Sequence, residues 1–314
     1  MSLPVSFRFD VAGRLVEDRP REVRILVWAG VGVSPAASHS SSVQASFGRE
    51  VGSRVFHFVD RGRIARFRNG TSGPRKLVTY VRYPTTGRAP FPLIVFCHGF
   101  SLLPSNYARL LDAWTRAGYV VAAPVFPVEN ADAPGGPDEA DLVNQPRDVS
   151  FVISQLLRAS RSRRNRLYGL IDPSRIAVTG HSDGGETAFA VAYERHYLDW
   201  QVRLAIVLSG APLPPEPVIS RRASPPLLAI QGSADTINPP SVTRELFLEA
   251  AKPKYMLTLL HAGHLAPYVH DRRKLAVVER VTIAFLDHYF KQAPLRLLLA
   301  AGKAPGVARL TNRP

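Results

Sequence analysis

Cysteine is nearly absent. The only one in 314 residues is Cys97, so no disulfide can form within the chain and no cysteine-based metal site is available. Cys97 lies inside the apolar run "PLIVFCHG", where a small buried thiol fits. Long hydrophobic runs are missing too. No stretch approaches the roughly 18 apolar residues of a membrane-crossing helix, so the sequence does not read as an integral membrane protein. Acidic residues are few, 25 against 40 lysines and arginines, which leaves a formal net charge of +15. The arginines are scattered, and the densest cluster, "RASRSRRNR" at 158–166, reads as a solvated helix end and loop. With no accompanying nucleic-acid motif, the charge does not indicate a nucleic-acid partner. A content of 46% hydrophobic and 21% charged residues is that of an ordinary globular protein long enough for one well-buried core.

Residues 1–50 read as a poorly ordered or signal-like leader. "REVRILVWAGVGVSPAAS" has a basic start, an apolar stretch and then small residues, as a short secretory signal does; "SPAASHSSS" has a disordered composition. Secretion and cytoplasmic residence both stay open. Residues 51–290 are expected to form one catalytic domain, and 291–314 a tail packed on it or trailing it.

From about residue 77 the pattern is regular. Runs rich in apolar and β-branched residues predict strands at 77–83, 93–97, 119–123, 176–179, 204–208, 227–231 and 256–260. Helical periodicity appears at 106–117, 147–157, 185–197, 242–250 and 275–289. Continuously apolar strands alternating with helices imply an α/β fold: a mostly parallel central sheet with helices on both faces and no separate lid domain. Two proline-rich segments, "VENADAPGGPDEADLVNQPRD" and "SGAPLPPEPVISRRASPP", come after strands, where loops shape a site on such a sheet.

Between a predicted strand and helix stands "IAVTGHSDGG", residues 176–185. Ser182 is flanked two positions away by Gly180 and Gly184, the G-x-S-x-G pattern of a tight strand-to-helix turn. A serine hydroxyl attacks only with a base beside it, and it needs donors for the oxyanion that develops. Glycines remove the clash that side chains would make in so sharp a bend. The next helix points its N-terminal amides at the serine, so the N–H of Asp183 is one expected oxyanion donor. "LIVFCHGF" supplies the second: the His98–Gly99 turn presents the N–H of Phe100, with His98 bracing the loop by hydrogen bonding. Base and acid are expected later in the chain, at strand ends. Asp235 in "GSADTINPP" and His264 in "LLHAGHLAPY" meet that requirement, ahead of His261, still on its strand, and His270, towards the last helix.

"CHGF", "GHSDGG", "GSADTINP" and "HAGH", in this order, resemble the α/β-hydrolase superfamily. The resemblance runs from about residue 77 to 290. It points to lidless bacterial esterases related to dienelactone hydrolase, platelet-activating-factor acetylhydrolase, chlorophyllase and cutinase-like polyester hydrolases. It implies a Ser–His–Asp triad at Ser182, His264 and Asp235, oxyanion donors at Phe100 and Asp183, an acyl-enzyme, no cofactor and no metal. The expected substrate is a small-molecule or polymeric ester of short to medium acyl chain; the alternatives are a polyester or phthalate-ester hydrolase and acyl transfer on the same triad, a non-catalytic scaffold is disfavoured because triad and oxyanion elements are all present, and the oligomeric state is not specified.

Two departures bear on substrate. Polyester hydrolases of this kind carry an aromatic-clamping tryptophan where this chain has Ala211, Pro212 and Leu213, and a C-terminal disulfide that one cysteine cannot make. Asp183 is itself unusual, since a carboxylate beside a forming oxyanion opposes it; its side chain is expected to turn away, towards an arginine. Calcium binding by "ENADAPGGPDEAD", with five carboxylates in thirteen residues, is disfavoured because the spacing does not match an EF-hand loop.

Overall fold

The computed structural model describes residues 50–213, 218–220 and 225–313, and before them only two paired two-residue strands, β1 (Arg8–Phe9) and β2 (Leu15–Val16). The expected leader at 1–50 therefore lies almost wholly outside the described residues. Contacts divide the chain into residues 1–46 and 47–314, and the second unit holds every other element.

Its centre is a sheet of nine strands: β3 (Val51–Arg66), β4 (Ser72–Pro84), β5 (Phe91–Cys97), β6 (Val120–Pro124), β7 (Ile171–His181), β8 (Val202–Leu208), β9 (Leu227–Gly232), β10 (Lys254–Leu259) and β11 (Ala308–Arg313). They lie in the order β11-β10-β9-β8-β7-β5-β6-β4-β3. The six from β5 to β10 pair in parallel, while β3, β4 and β11 add antiparallel edges. Side chains alternate across the pleat. In β5, Leu93, Val95 and Cys97 enter one buried layer and Ile94 and Phe96 the other. Both faces are covered, which is why the strand is apolar throughout.

One layer takes α2 (Gln145–Arg161), α3 (Asp183–Tyr193) and α4 (Pro240–Glu249). The opposite layer takes α1 (Ala108–Arg116), the four-residue α5 (Ala266–Val269), α6 (Arg272–Lys291) and α7 (Leu295–Ala301). Every residue of α3 is buried, as expected of a helix whose sequence, "TAFAVAY", is apolar all round. Each fully buried Val, Leu, Ile or Phe side chain stabilises by roughly 1.5–3 kcal/mol.

The seven predicted strands and five predicted helices are all present, with three differences. The helix expected from 106 opens as a 3-10 turn, Pro104–Tyr107. The helix expected to 197 ends at Tyr193, because Glu194 is extended (φ −79°, ψ 128°) and bridges to Ile219. β3, β11, α7 and the short α5 are additions. Residues 295–313 thus supply a helix and an edge strand rather than a loose tail.

Candidate active site

Ser182 is the single residue between β7 and α3. Its backbone is at φ 56°, ψ −126°, a region that costs a non-glycine residue of order 1–3 kcal/mol and persists only where the surroundings impose it. Here they do. The Ser182 N–H donates to the Leu208 carbonyl at 2.9 Å, and the Ser182 carbonyl accepts from the Glu186 N–H at 3.0 Å. A Cβ on Gly180 would strike the carbonyl of Gly184, and one on Gly184 would strike the carbonyl of Cys97. Both glycines are therefore required by close approach of strand to helix.

Asp235 and His264 come together from the loops after β9 and β10. His264 Nδ1 lies 2.8 Å from Asp235 Oδ2. Asp235 is 3% exposed and is held by further donors: Oδ1 accepts from the N–H groups of Ile237 and Asn238, each at 3.0 Å, and Oδ2 from Gln231 Nε2 at 3.2 Å. A carboxylate can only accept, so the Nδ1 proton sits between the pair and Nε2 is the ring nitrogen turned away from Asp235. Nε2 makes no hydrogen bond among the described residues. The competitors His261 and His270 are exposed on the surface.

The loop after β5 packs against the serine. A Cβ on Gly99 would stand 3.2 Å from Ser182 Cβ and 3.1 Å from the His181 carbonyl oxygen. His98, buried, bonds Gly99 O through Nδ1 at 2.9 Å and accepts the Phe126 N–H on Nε2 at 3.0 Å. It braces the loop and offers no free nitrogen. Burial pushes its pKa down to about 4, which keeps it neutral. Neither the N–H of Phe100 nor that of Asp183 has a hydrogen-bond acceptor among the described residues.

A second brace involves residues that sequence reasoning misses. Tyr107 Oη lies 3.4 Å from the Gly99 N–H that donates to it and 2.8 Å from His181 Nδ1; His181 Nε2 lies 3.0 Å from the His264 carbonyl oxygen. His181 is neutral, its pKa pushed down to about 3 by burial and then by His264. It therefore carries its one proton on Nε2, facing the carbonyl, and accepts from the Tyr107 hydroxyl on Nδ1. Position 181, beside the serine, is the only hint the sequence offers; Tyr107 and Gln231 carry none.

One expectation is corrected. Asp183 does not turn towards an arginine: its Oδ1 accepts from Ser182 Oγ at 3.2 Å, because the α3 start folds this side chain back over the elbow into a buried space where no guanidinium reaches it. No hydrogen bond joins Ser182 Oγ to His264. The arginine that does enter the interior, Arg75, takes other acids. Its guanidinium binds both oxygens of Asp141 at 2.8 and 2.7 Å and both of Asp148 at 2.8 and 2.6 Å. Asp141 in the acidic stretch thus serves an internal ion pair. Next to the 98–103 loop is a cavity of about 340 Å³, lined by Val78, Tyr80, Leu103, Val125 and Asn130, with Arg82 at its wall.

A doubly covered, mostly parallel sheet with a serine at a strand-to-helix elbow is the α/β-hydrolase fold. A family model described as Chlorophyllase matches residues 56–241. The chain belongs to the chlorophyllase family. It is 25% identical over 202 residues to Chlorophyllase-2 of Arabidopsis thaliana, covering 56% of this chain and 60% of that protein. It is 32% identical over 130 residues to Chlorophyllase-1 of the same plant, covering 40% of this chain and 35% of that protein. The chain therefore spans about 60% or less of the length of these curated relatives. A ferulic acid esterase of Streptomyces cinnamoneus superposes with a TM-score of 0.66 at 21% identity, covering 86% of this chain and 98% of that one, and shares the fold.

Proposed function

We propose that the protein hydrolyses carboxylic esters, with Ser182 as nucleophile, His264 as general base and Asp235 as the acid that orients it. The observation that carries this reading is the 2.8 Å bond between His264 Nδ1 and Asp235 Oδ2, which turns Nε2 away from the carboxylate. When ester binds, the Ser182 hydroxyl turns from Asp183 Oδ1 to Nε2; such contacts are commonly long in the unliganded state and tighten with substrate. Oγ attacks the carbonyl carbon as Nε2 takes its proton, and Asp235 stabilises the imidazolium. The oxyanion accepts from the amides of Phe100 and Asp183, each worth roughly 3 kcal/mol of barrier in comparable sites. His264 then protonates the departing alcohol and activates the water that clears the acyl-enzyme.

Substrate class is argued from surroundings and relatives. Phe100, 38% exposed, walls the acyl side, and the cavity beside Leu103, apolar at Val78 and Val125 and polar at Arg82, Asn130 and Asp132, takes a group with both kinds of surface. The absence of a tryptophan at 211–213 argues against strong aromatic polyester hydrolysis. Because the relatives are named chlorophyllases and a ferulic acid esterase, chlorophyll and a ferulate ester belong in the substrate panel, beside p-nitrophenyl esters of graded length and a phthalate diester. Competing alcohols in the same assay separate hydrolysis from acyl transfer. The decisive test is Ser182→Ala. Turnover of p-nitrophenyl butyrate should fall by roughly 10⁵- to 10⁶-fold, and labelling by a fluorophosphonate should vanish. Unchanged turnover in that variant refutes the assignment.

A further inference from the structure

Directly behind the elbow lies a carboxyl group with no evident donor. Glu129, in the loop after β6, is completely buried, and neither of its side-chain oxygens receives a hydrogen bond from any described N–H or O–H group; the same is true of Asp183 Oδ2. Asp183 is the side chain that bears most directly on Glu129, through hydrogen bonding and through its charge. Two carboxylates cannot bond, because each only accepts, and two buried like charges in contact are costly. One shared proton removes both difficulties at once. The pair is also tied to the reacting parts: the Ser101 N–H donates to the Glu129 carbonyl at 2.9 Å, next to Phe100, and Asp183 Oδ1 accepts from Ser182 Oγ at 3.2 Å.

We propose that Glu129 is a positioning residue whose carboxyl group donates a hydrogen bond to Asp183 Oδ2, holding Asp183 as the resting acceptor of the Ser182 hydroxyl and keeping one negative charge, not two, behind the oxyanion site. This rests on Ser182 being the nucleophile. The surroundings assign the proton to Glu129. Burial first, then the bond to Asp183, then the charges of Asp183 and Glu186 on α3 and Asp141 in the 139–144 turn, push its pKa up to about 11. Asp141 is itself bound by Arg75 through both oxygens, whereas the Glu129 carboxyl makes no ion pair among the described residues. The arrangement accounts for an aspartate directly after the nucleophile. Its charge is partly drawn onto the Glu129 proton, which weakens both its grip on Ser182 Oγ and its repulsion of the oxyanion, and its remaining oxygen is aimed at the hydroxyl.

Infrared difference spectroscopy between the wild-type chain and Glu129→Gln, an isosteric variant that keeps a donor, tests the proton directly. A protonated-carboxyl band at pH 8 should be present in the wild type and lost in the variant; its absence from the difference spectrum overturns the proposal without reference to activity. Kinetics with p-nitrophenyl butyrate test the role. Glu129→Leu should lower kcat by roughly tenfold or more, the scale of one hydrogen bond to a charged group, with KM little changed. Glu129→Gln should restore most of that loss, and adding Asp183→Asn to Glu129→Leu should restore it too by removing the uncompensated charge. A double variant as slow as Glu129→Leu alone refutes the role. Failure of the nucleophile assignment is a separate outcome: Ser182→Ala would stay active while the infrared band is unaffected.

Discussion

His181 Nε2 donates its proton to the backbone carbonyl of His264 across 3.0 Å, so the residue preceding the candidate nucleophile holds the loop that carries the candidate base. The rings also pack, with centroids 4.7 Å apart. His181 touches neither Asp235 nor Ser182 Oγ by hydrogen bond; its effect is transmitted through the 264 backbone.

Replacing His181 by leucine should therefore lower kcat for p-nitrophenyl butyrate by roughly 10- to 100-fold, the scale on which about 1 Å of misplacement acts. KM should move little, because no binding group is lost. A variant with wild-type kcat shows that the His264 loop keeps its geometry unaided.

Arg75 is wholly buried and saturates two buried aspartates. Arg75→Ala would leave Asp141 without a cation, bonded only by the Asn144 amide, and Asp148 with Arg63 alone at 2.6 Å, a loss of about 3–5 kcal/mol where one partner of a buried pair is removed. The urea midpoint should fall accordingly. Arg75→Lys should recover little, since an ammonium cannot match two carboxylates through a planar fork. A midpoint unchanged in Arg75→Ala would mean that water or rearrangement compensates fully.

Stability should vary with pH in a way set by five buried groups. Burial lowers His98 to about 4 and His181 to about 3. Unfolded histidines bind protons near pH 6.5, so the stability these two contribute is complete above that value and is lost as pH falls. Burial raises Glu129 to about 11, Glu186 to about 9 and Glu194 to about 7. They keep protons that the unfolded chain sheds near pH 4.5, so their contribution is complete below that value and declines as pH rises. The slopes oppose between about pH 4.5 and 6.5, three glutamates against two histidines, so stability should change least there. Thermal unfolding from pH 4 to 9 should show Tm falling on both sides of that window, with Glu186→Gln flattening the alkaline side. A Tm rising from pH 6.5 to 9 contradicts this.

The legible parts of the molecule are those fixed by local geometry. Gly180, Ser182 and Gly184 announce a bend because a side chain at 180 would strike the Gly184 carbonyl and one at 184 the Cys97 carbonyl. The apolar runs of β5 to β9 announce burial on both faces. Asp235 and His264 can be read from their places after strands. What is not legible depends on distant partners. Asp183 looks like a surface-seeking acid until Glu129, 54 positions earlier in the chain, is found behind it. Arg75 looks like one more scattered cation until Asp141 and Asp148 close on it. β3 escapes notice because an edge strand is only half covered: Phe56 and Phe58 pack onto the core layer while Val55, Val59 and Ile64 face outward, so its pattern is mixed. β11 gains its identity only by pairing with β10.

The chain of contacts from Gly99 through Tyr107 and His181 to the His264 carbonyl works as a truss across the mouth of the sheet. Loads applied at the rim, by a bulky substrate or by an exchanged side chain at Tyr80, Phe100 or Leu103, fall outside its members. Selection for new esters can therefore reshape the rim freely while those four positions stay as they are, and libraries that vary the rim and spare the truss should retain the most active clones.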